Sequence, residues 1–201
     1  MKVEEVDNPV LQDRYESYRA SLRAEAEGSD DAAMLADGNE TFVLHGCAPE
    51  AIASICQGGF SKAYWTSATG SWQRFVSHER VICLGCARFT FDSLMLAGFR
   101  QGPGFYFALQ ANKSHGYPKQ MMNKLKAGDH QRKMILSRVA RGRVYETTKN
   151  LDHLKGSAPE GYDSVHGKAG GGSDLADDEL VVYEEAAILP YAVVTYGFTK
   201  M

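Results

Sequence analysis

No apolar run in the chain approaches the ~18 residues that a membrane-spanning helix needs, so composition supplies no membrane span. The chain also has little excess of one charge, with a formal net charge of −3 over 201 residues. That argues against a protein whose main business is gripping nucleic acid. Cysteine is scarce, with four in all (Cys47, Cys56, Cys83 and Cys86), too few to make a disulfide framework in a chain of this length. A reducing, intracellular compartment, nuclear or cytoplasmic, is the expectation. The opening residues are acidic and polar, unlike a signal peptide. There is neither an internal repeat nor a linker-like composition shift. The reading is one domain over 1–201, with an N-terminal helix and linker over 1–40 and a core over 41–201. A hydrophobic content of 44% suits a globular core.

Local pattern gives the order of elements. Asn8 can cap a helix, Pro9 suits its first turn, and Leu11, Tyr15, Tyr18 and Leu22 share one face. That helix is predicted to end near Gly28, followed by an acidic connection from Ser29 to Glu40. Thr41 to Leu44 reads as a strand. Pro49 opens a helix over Ala51 to Gln57, which Gly58-Gly59 stops. The stretch from Ser61 to Gly102 has no clean period. Phe105 to Ala108 reads as a buried strand, with a helix start around Asn112. Lys119 to Lys133 reads as exposed loop, Met134 to Val144 as a strand, and Asn150 to Ala176 as a long loop. Strands over Glu179 to Tyr183 and Ala192 to Phe198 close the chain, with Pro190 between them. Late strands with few long helices predict an α+β domain with antiparallel sheet.

Several segments together carry a family resemblance. They are Leu44-His45-Gly46, Pro49 to Ile55, Gly59-Phe60, Gly102 to Ala108, Lys113-Ser114 with Tyr117, Gly142 to Glu146, Tyr162 to Gly167, and Glu179 to Tyr183. In this order the chain resembles the catalytic domain of the poly(ADP-ribose) polymerase family, the diphtheria-toxin-like ADP-ribosyltransferases. The opening Asn8 to Tyr15 resembles the lead-in of members without the regulatory helical domain. About 40 residues before His45 are too few for such a domain. The implied fold is a mainly antiparallel two-sheet core with flanking helices and an NAD cleft.

The resemblance implies NAD as substrate, no further cofactor and no metal. It also implies transfer of ADP-ribose to an acceptor, protein first, with nucleic-acid ends open and no membrane partner. Mono- and poly-transfer both stay open, as does the oligomeric state. His45 would bond a ribose hydroxyl of the adenosine half, and Gly46 and Ser114 the nicotinamide carboxamide. Tyr106 and Tyr117 would stack on the nicotinamide ring. Glu179 would stabilise charge on the ribose and activate the acceptor, making it catalytic together with His45 and Tyr106. Lys113 would contact acceptor or phosphates.

Each residue also has a plain structural reading. His45 fits a strand end, Tyr106 a core position, Ser114 a helix start, Lys113 the surface, and Glu179 a solvated strand start. A binding module for NAD or ADP-ribose, and an NAD glycohydrolase, are the alternative functions. Cys47 stands where the family carries a small hydroxyl residue. The segment from residue 61 to 102 is longer than the family's loop. Its Cys83 and Cys86, with His78 upstream, are more easily read as buried thiols than as a zinc site, which needs four ligands.

Overall fold

The computed structural model describes residues 1–47, 49–64, 100–111, 114 and 131–197. Two helices pack on one eight-stranded sheet. In chain order these are β1 (Lys2–Glu5), α1 (Pro9–Ala26), β2 (Glu40–His45), α2 (Pro49–Gly58) and β3 (Phe105–Ala108). There follow β4 (Gln131–Ala140), β5 (Val144–Thr147), β6 (Ser164–Gly167), β7 (Glu179–Val182) and β8 (Ile188–Gly197). The spatial order is β1-β8-β4-β2-β3-β7-β6-β5, antiparallel throughout except for β5 with β6.

The expected two sheets are joined as one. β2 pairs with β4 along its whole length, from Glu40 opposite Ala140 to His45 opposite Ile135. β3 pairs likewise with β7, from Phe105 opposite Val182 to Ala108 opposite Glu179. Between β2 and β3 there is a single rung, Leu44 opposite Ala108. The two half-sheets splay apart from that point.

Apolar packing bridges what the ladder does not. Val43, Val139 and Ile188 from one half meet Phe105, Phe107, Leu180 and Val182 from the other, with Phe60 between them. Phe60 makes edge-on contacts with Phe105 and Phe107 at 5.9 and 5.3 Å. Burying such a side chain contributes ~2–3 kcal/mol, whereas one backbone hydrogen bond nets ~1 kcal/mol. Packing therefore outweighs the rung.

α1 forms where the sequence places it. The Asn8 side chain accepts from the Leu11 N–H, Pro9 stands in the first turn, and Leu11, Tyr15, Leu22 and Ala26 are buried. Tyr15 ties the helix to the sheet by donating to the Glu40 carboxylate at 2.6 Å. Arg138 of β4 grips the same carboxylate through Nε at 3.0 Å and Nη2 at 2.8 Å. Burial and the bond to Glu40 push the Tyr15 phenol far above its usual range. α2 starts at Pro49 and runs to Gly58, with Ile52 buried against Cys47, Ile135 and Val193.

Several features differ from the sequence reading. β1 is exposed along its length, Val3 included, so no buried apolar pattern marks it; pairing with β8 makes it a strand. The charged stretch ends earlier than expected, because Gln131 to Lys133 already belong to β4. The strand read over Met134 to Val144 is two strands, β4 and β5, and β6 lies inside the stretch read as loop. β8 begins at Ile188 and passes through Pro190. There Pro190 opposes Ser137 and Ala192 opposes Leu136, which leaves Tyr191 as the extra residue of a bulge. A bulge accepts a residue without an N–H. Leu35, inside the acidic connection, is fully buried. The helix start near Asn112 and the end of the last strand at Phe198 lie outside the described residues.

Phe107→Ala is expected to destabilise the fold by about 3–5 kcal/mol, and Tyr15→Phe by about 1 kcal/mol. Urea unfolding of both variants checks the order. A larger loss for Tyr15→Phe would refute packing as what joins the half-sheets.

Candidate active site at the splay between the half-sheets

His45 is the last residue of β2. Its ring stands edge-on to Phe60 at 5.0 Å and to Phe107 at 5.7 Å. Nδ1 lies 3.1 Å from the Tyr106 carbonyl oxygen. A carbonyl only accepts, so Nδ1 carries the proton and Nε2 of the neutral ring is left as an acceptor. Burial lowers the His45 pKa, partly offset by the bond to Tyr106. The neutral form is thus favoured in the folded state.

Tyr106 alternates with its neighbours on β3. Phe105 and Phe107 enter the core that spans both half-sheets. Tyr106 turns to the other face, against Val165, Val181 and Tyr183, with Tyr145, Leu151 and Leu154 around them. Its hydroxyl is held by the loop before the strand, donating to the Gly102 carbonyl at 2.7 Å and accepting from the Gln101 N–H at 2.9 Å. Gly102 allows that loop, with φ at +70° and Leu154 O only 2.5 Å from where a β-carbon would stand. The tyrosine ring is half-buried and its far end is fixed.

Glu179 opens β7 and is buried, at 6% exposure, which answers the reading of a solvated strand start. It opposes Ala108 on one side and Gly167 on the other. A β-carbon on residue 167 would stand 2.5 Å from Leu175 Cδ1 and 3.1 Å from Glu179 Cγ. Glycine at 167 therefore makes room for Leu175 first and lets the Glu179 side chain lie close beside it. The Glu179 charge also reaches Tyr183, whose phenol is pushed well up, first by burial and then by that charge.

Ser114 is buried and donates from Oγ to the Leu44 carbonyl at 3.0 Å, at the rung itself. Gly46, two residues after Leu44, is also buried. The backbones of His45, Tyr106 and Glu179 and the Ser114 hydroxyl thus lie around one rung, Leu44 opposite Ala108. Tyr106 and Glu179 share a face of the β3–β7 pair, whereas the His45 ring leans on Phe107 and reaches β3 at its edge. Lys113 and Tyr117 lie outside the described residues, as do His78, Cys83 and Cys86. Among the described residues, no group of three or more His, Cys, Asp or Glu could hold a metal ion. No described helix is long and apolar enough to cross a membrane.

Cys47 belongs to the core rather than to an open surface. It packs with Ile52, Ile135 and Val193, and burial pushes its thiol up to about 12. The sequence assigns no role to two residues beside this site, although Gly167 ends the segment Tyr162 to Gly167 that carries the resemblance. Gly167 sits in a four-residue strand with one large apolar residue, and Gln101 precedes a Gly-Pro-Gly turn.

His45 yields a pH prediction. Its folded pKa lies below the unfolded value of 6.5, so its contribution is present above that pH and is lost as pH falls from there through the folded pKa. Wild type is expected to lose more stability than His45→Gln between pH 7.5 and pH 5.5, read by urea midpoints. Equal losses would refute a neutral imidazole in the folded state.

No protein-family model matches the sequence, and no curated protein matches it.

Proposed function

We propose that the chain is an NAD-dependent ADP-ribosyltransferase. It would cleave the nicotinamide–ribose bond and transfer ADP-ribose to an acceptor, protein first. The ADP-ribosyltransferase type of fold is part of the same proposal. What supports it is that a neutral His45 bonded to the Tyr106 carbonyl, an anchored Tyr106 and a buried Glu179 opposite Ala108 all stand on the strands joined by the Leu44–Ala108 rung.

The chemistry suits those groups. Breaking the bond to nicotinamide builds positive charge on the ribose, as in glycoside cleavage. A carboxylate shielded from water stabilises such charge far better than one in bulk solvent. In the proposed site, Glu179 takes the neighbouring 2′-hydroxyl and orients the incoming nucleophile. The free acceptor on His45 Nε2 takes a hydroxyl of the adenosine ribose. The face of Tyr106 lies against the nicotinamide ring, whose partial positive charge an aromatic face attracts. In the proposed site Ser114 and Gly46 would hold the carboxamide, and Lys113 and Tyr117 would complete the set from the adjoining sequence.

A binding-only reading has one observation in its favour. Cys47 is a core thiol, so no hydroxyl from that position is offered to a ribose. Incubation with adenylate-labelled NAD separates the readings. Label on protein is the expected result, a sharp band meaning single transfer and a ladder meaning polymer. Nicotinamide release without labelled protein would make the chain a glycohydrolase, and NAD binding without release would make it a binder. Glu179→Gln is expected to lower the rate at least ~100-fold while leaving NAD affinity within a few-fold.

A further inference from the structure

Gln101 is fully buried, at 0% exposure, yet its amide is only partly used. Nε2 donates to the Lys149 carbonyl at 3.3 Å, which fixes which end of the amide is nitrogen. Among the described residues Oε1 has no hydrogen-bond partner. A primary amide carries two N–H bonds, and the bond to Lys149 uses one. Leaving part of a buried amide without partners is unfavourable by ~1–3 kcal/mol, a cost that a methionine of similar length would avoid. A native structure that keeps such a group calls for a reason.

The described surroundings offer no donor to Oε1, but they bring an acceptor, the Glu179 carboxyl, near the second N–H. The β-carbon position of residue 167 lies 3.4 Å from Gln101 Nε2 and 3.1 Å from Glu179 Cγ. The amide and the acid therefore flank the same bare glycine. The main chain of Gln101 is tied to the same group of residues. Its N–H donates to the Tyr106 hydroxyl and its carbonyl accepts from the Tyr183 hydroxyl at 2.7 Å. Tyr106 and Tyr183 share the apolar cluster of β7 and β6, and Tyr183 feels the Glu179 charge.

We propose that Gln101 is a positioning residue for Glu179, its second amide N–H steering the carboxylate over Gly167 toward the splay. What the carboxylate does there rests on the proposed function; the pairing itself does not. Gly167 has the complementary role of keeping the space clear.

Two substitutions in the full chain test this. Gln101→Met keeps length and removes the amide. Gln101→Glu keeps shape and adds a second negative charge. With wild type active on NAD, Gln101→Met is expected to lower kcat about tenfold, with KM within about threefold, the pattern of an interaction made mainly in the transition state. Gln101→Asn, which retains an amide one methylene shorter, is expected to recover part of that loss. An Asn variant as poor as the Met variant would contradict a role for the amide.

The second readout needs no turnover. Carbon-13 NMR follows the titration of the Glu179 carboxyl, assigned by its absence in Glu179→Gln. Gln101→Glu is expected to move that titration upward, since a neighbouring like charge disfavours ionisation. The acid limb of kcat/KM is expected to move with it. An unmoved Glu179 titration would overturn the pairing. A wild type that releases no nicotinamide would instead overturn the proposed function and leave the titration to decide the pairing.

Discussion

One backbone rung, Leu44 opposite Ala108, joins the two halves of the sheet, and the site depends on it. Were β2 and β3 paired along their lengths, the edge that His45 reaches would be closed by hydrogen bonds. Were there no rung, His45 and Glu179 would belong to separate bodies. With a single rung the strands meet and then part, and the histidine comes within 3.1 Å of the Tyr106 carbonyl. Ser114 ties its hydroxyl to Leu44 at the same place.

So narrow a connection holds because the side chains carry the load. Phe60, Phe105 and Phe107 interlock with Val43, Val139, Leu180 and Ile188 across the division. The Tyr15–Glu40–Arg138 bonds secure α1 to the outer end of β2, away from the site. The aromatic core also bears on His45, because two of the rings that hold the half-sheets together stand edge-on to it. Stability and the neutral state of the imidazole have the same origin.

What the sequence shows of this is uneven, for physical reasons. Strong local signals survive: the Asn8 cap and Pro9 fix the start of α1, Pro49 starts α2, and Phe105 to Ala108 is a strand. Strands that exist only through pairing leave little trace. Lys2–Glu5 is polar and exposed, and Ser164–Gly167 has one large apolar residue. The separation into two sheets expected from the resemblance is one sheet with a near-break, a distinction that rests on a single pair. His45, Tyr106, Ser114 and Glu179 were nameable because each stands in a distinctive short segment. Gln101 and Gly167 were not, since a buried amide and a missing β-carbon gain meaning only from neighbours distant in sequence. The second His-Gly pair, His166-Gly167, has no flanks like those of His45-Gly46, yet its glycine lets Glu179 lie close beside it.

The central claim is that the splay is where NAD binds, with the acid beside the bond to be broken. A crystal structure of the full chain with a non-hydrolysable NAD analogue tests it most directly. The account requires the nicotinamide ring against Tyr106, its ribose beside Glu179 and the adenosine ribose on His45 Nε2. An analogue bound elsewhere, or bound with Glu179 remote from the nicotinamide ribose, would contradict it.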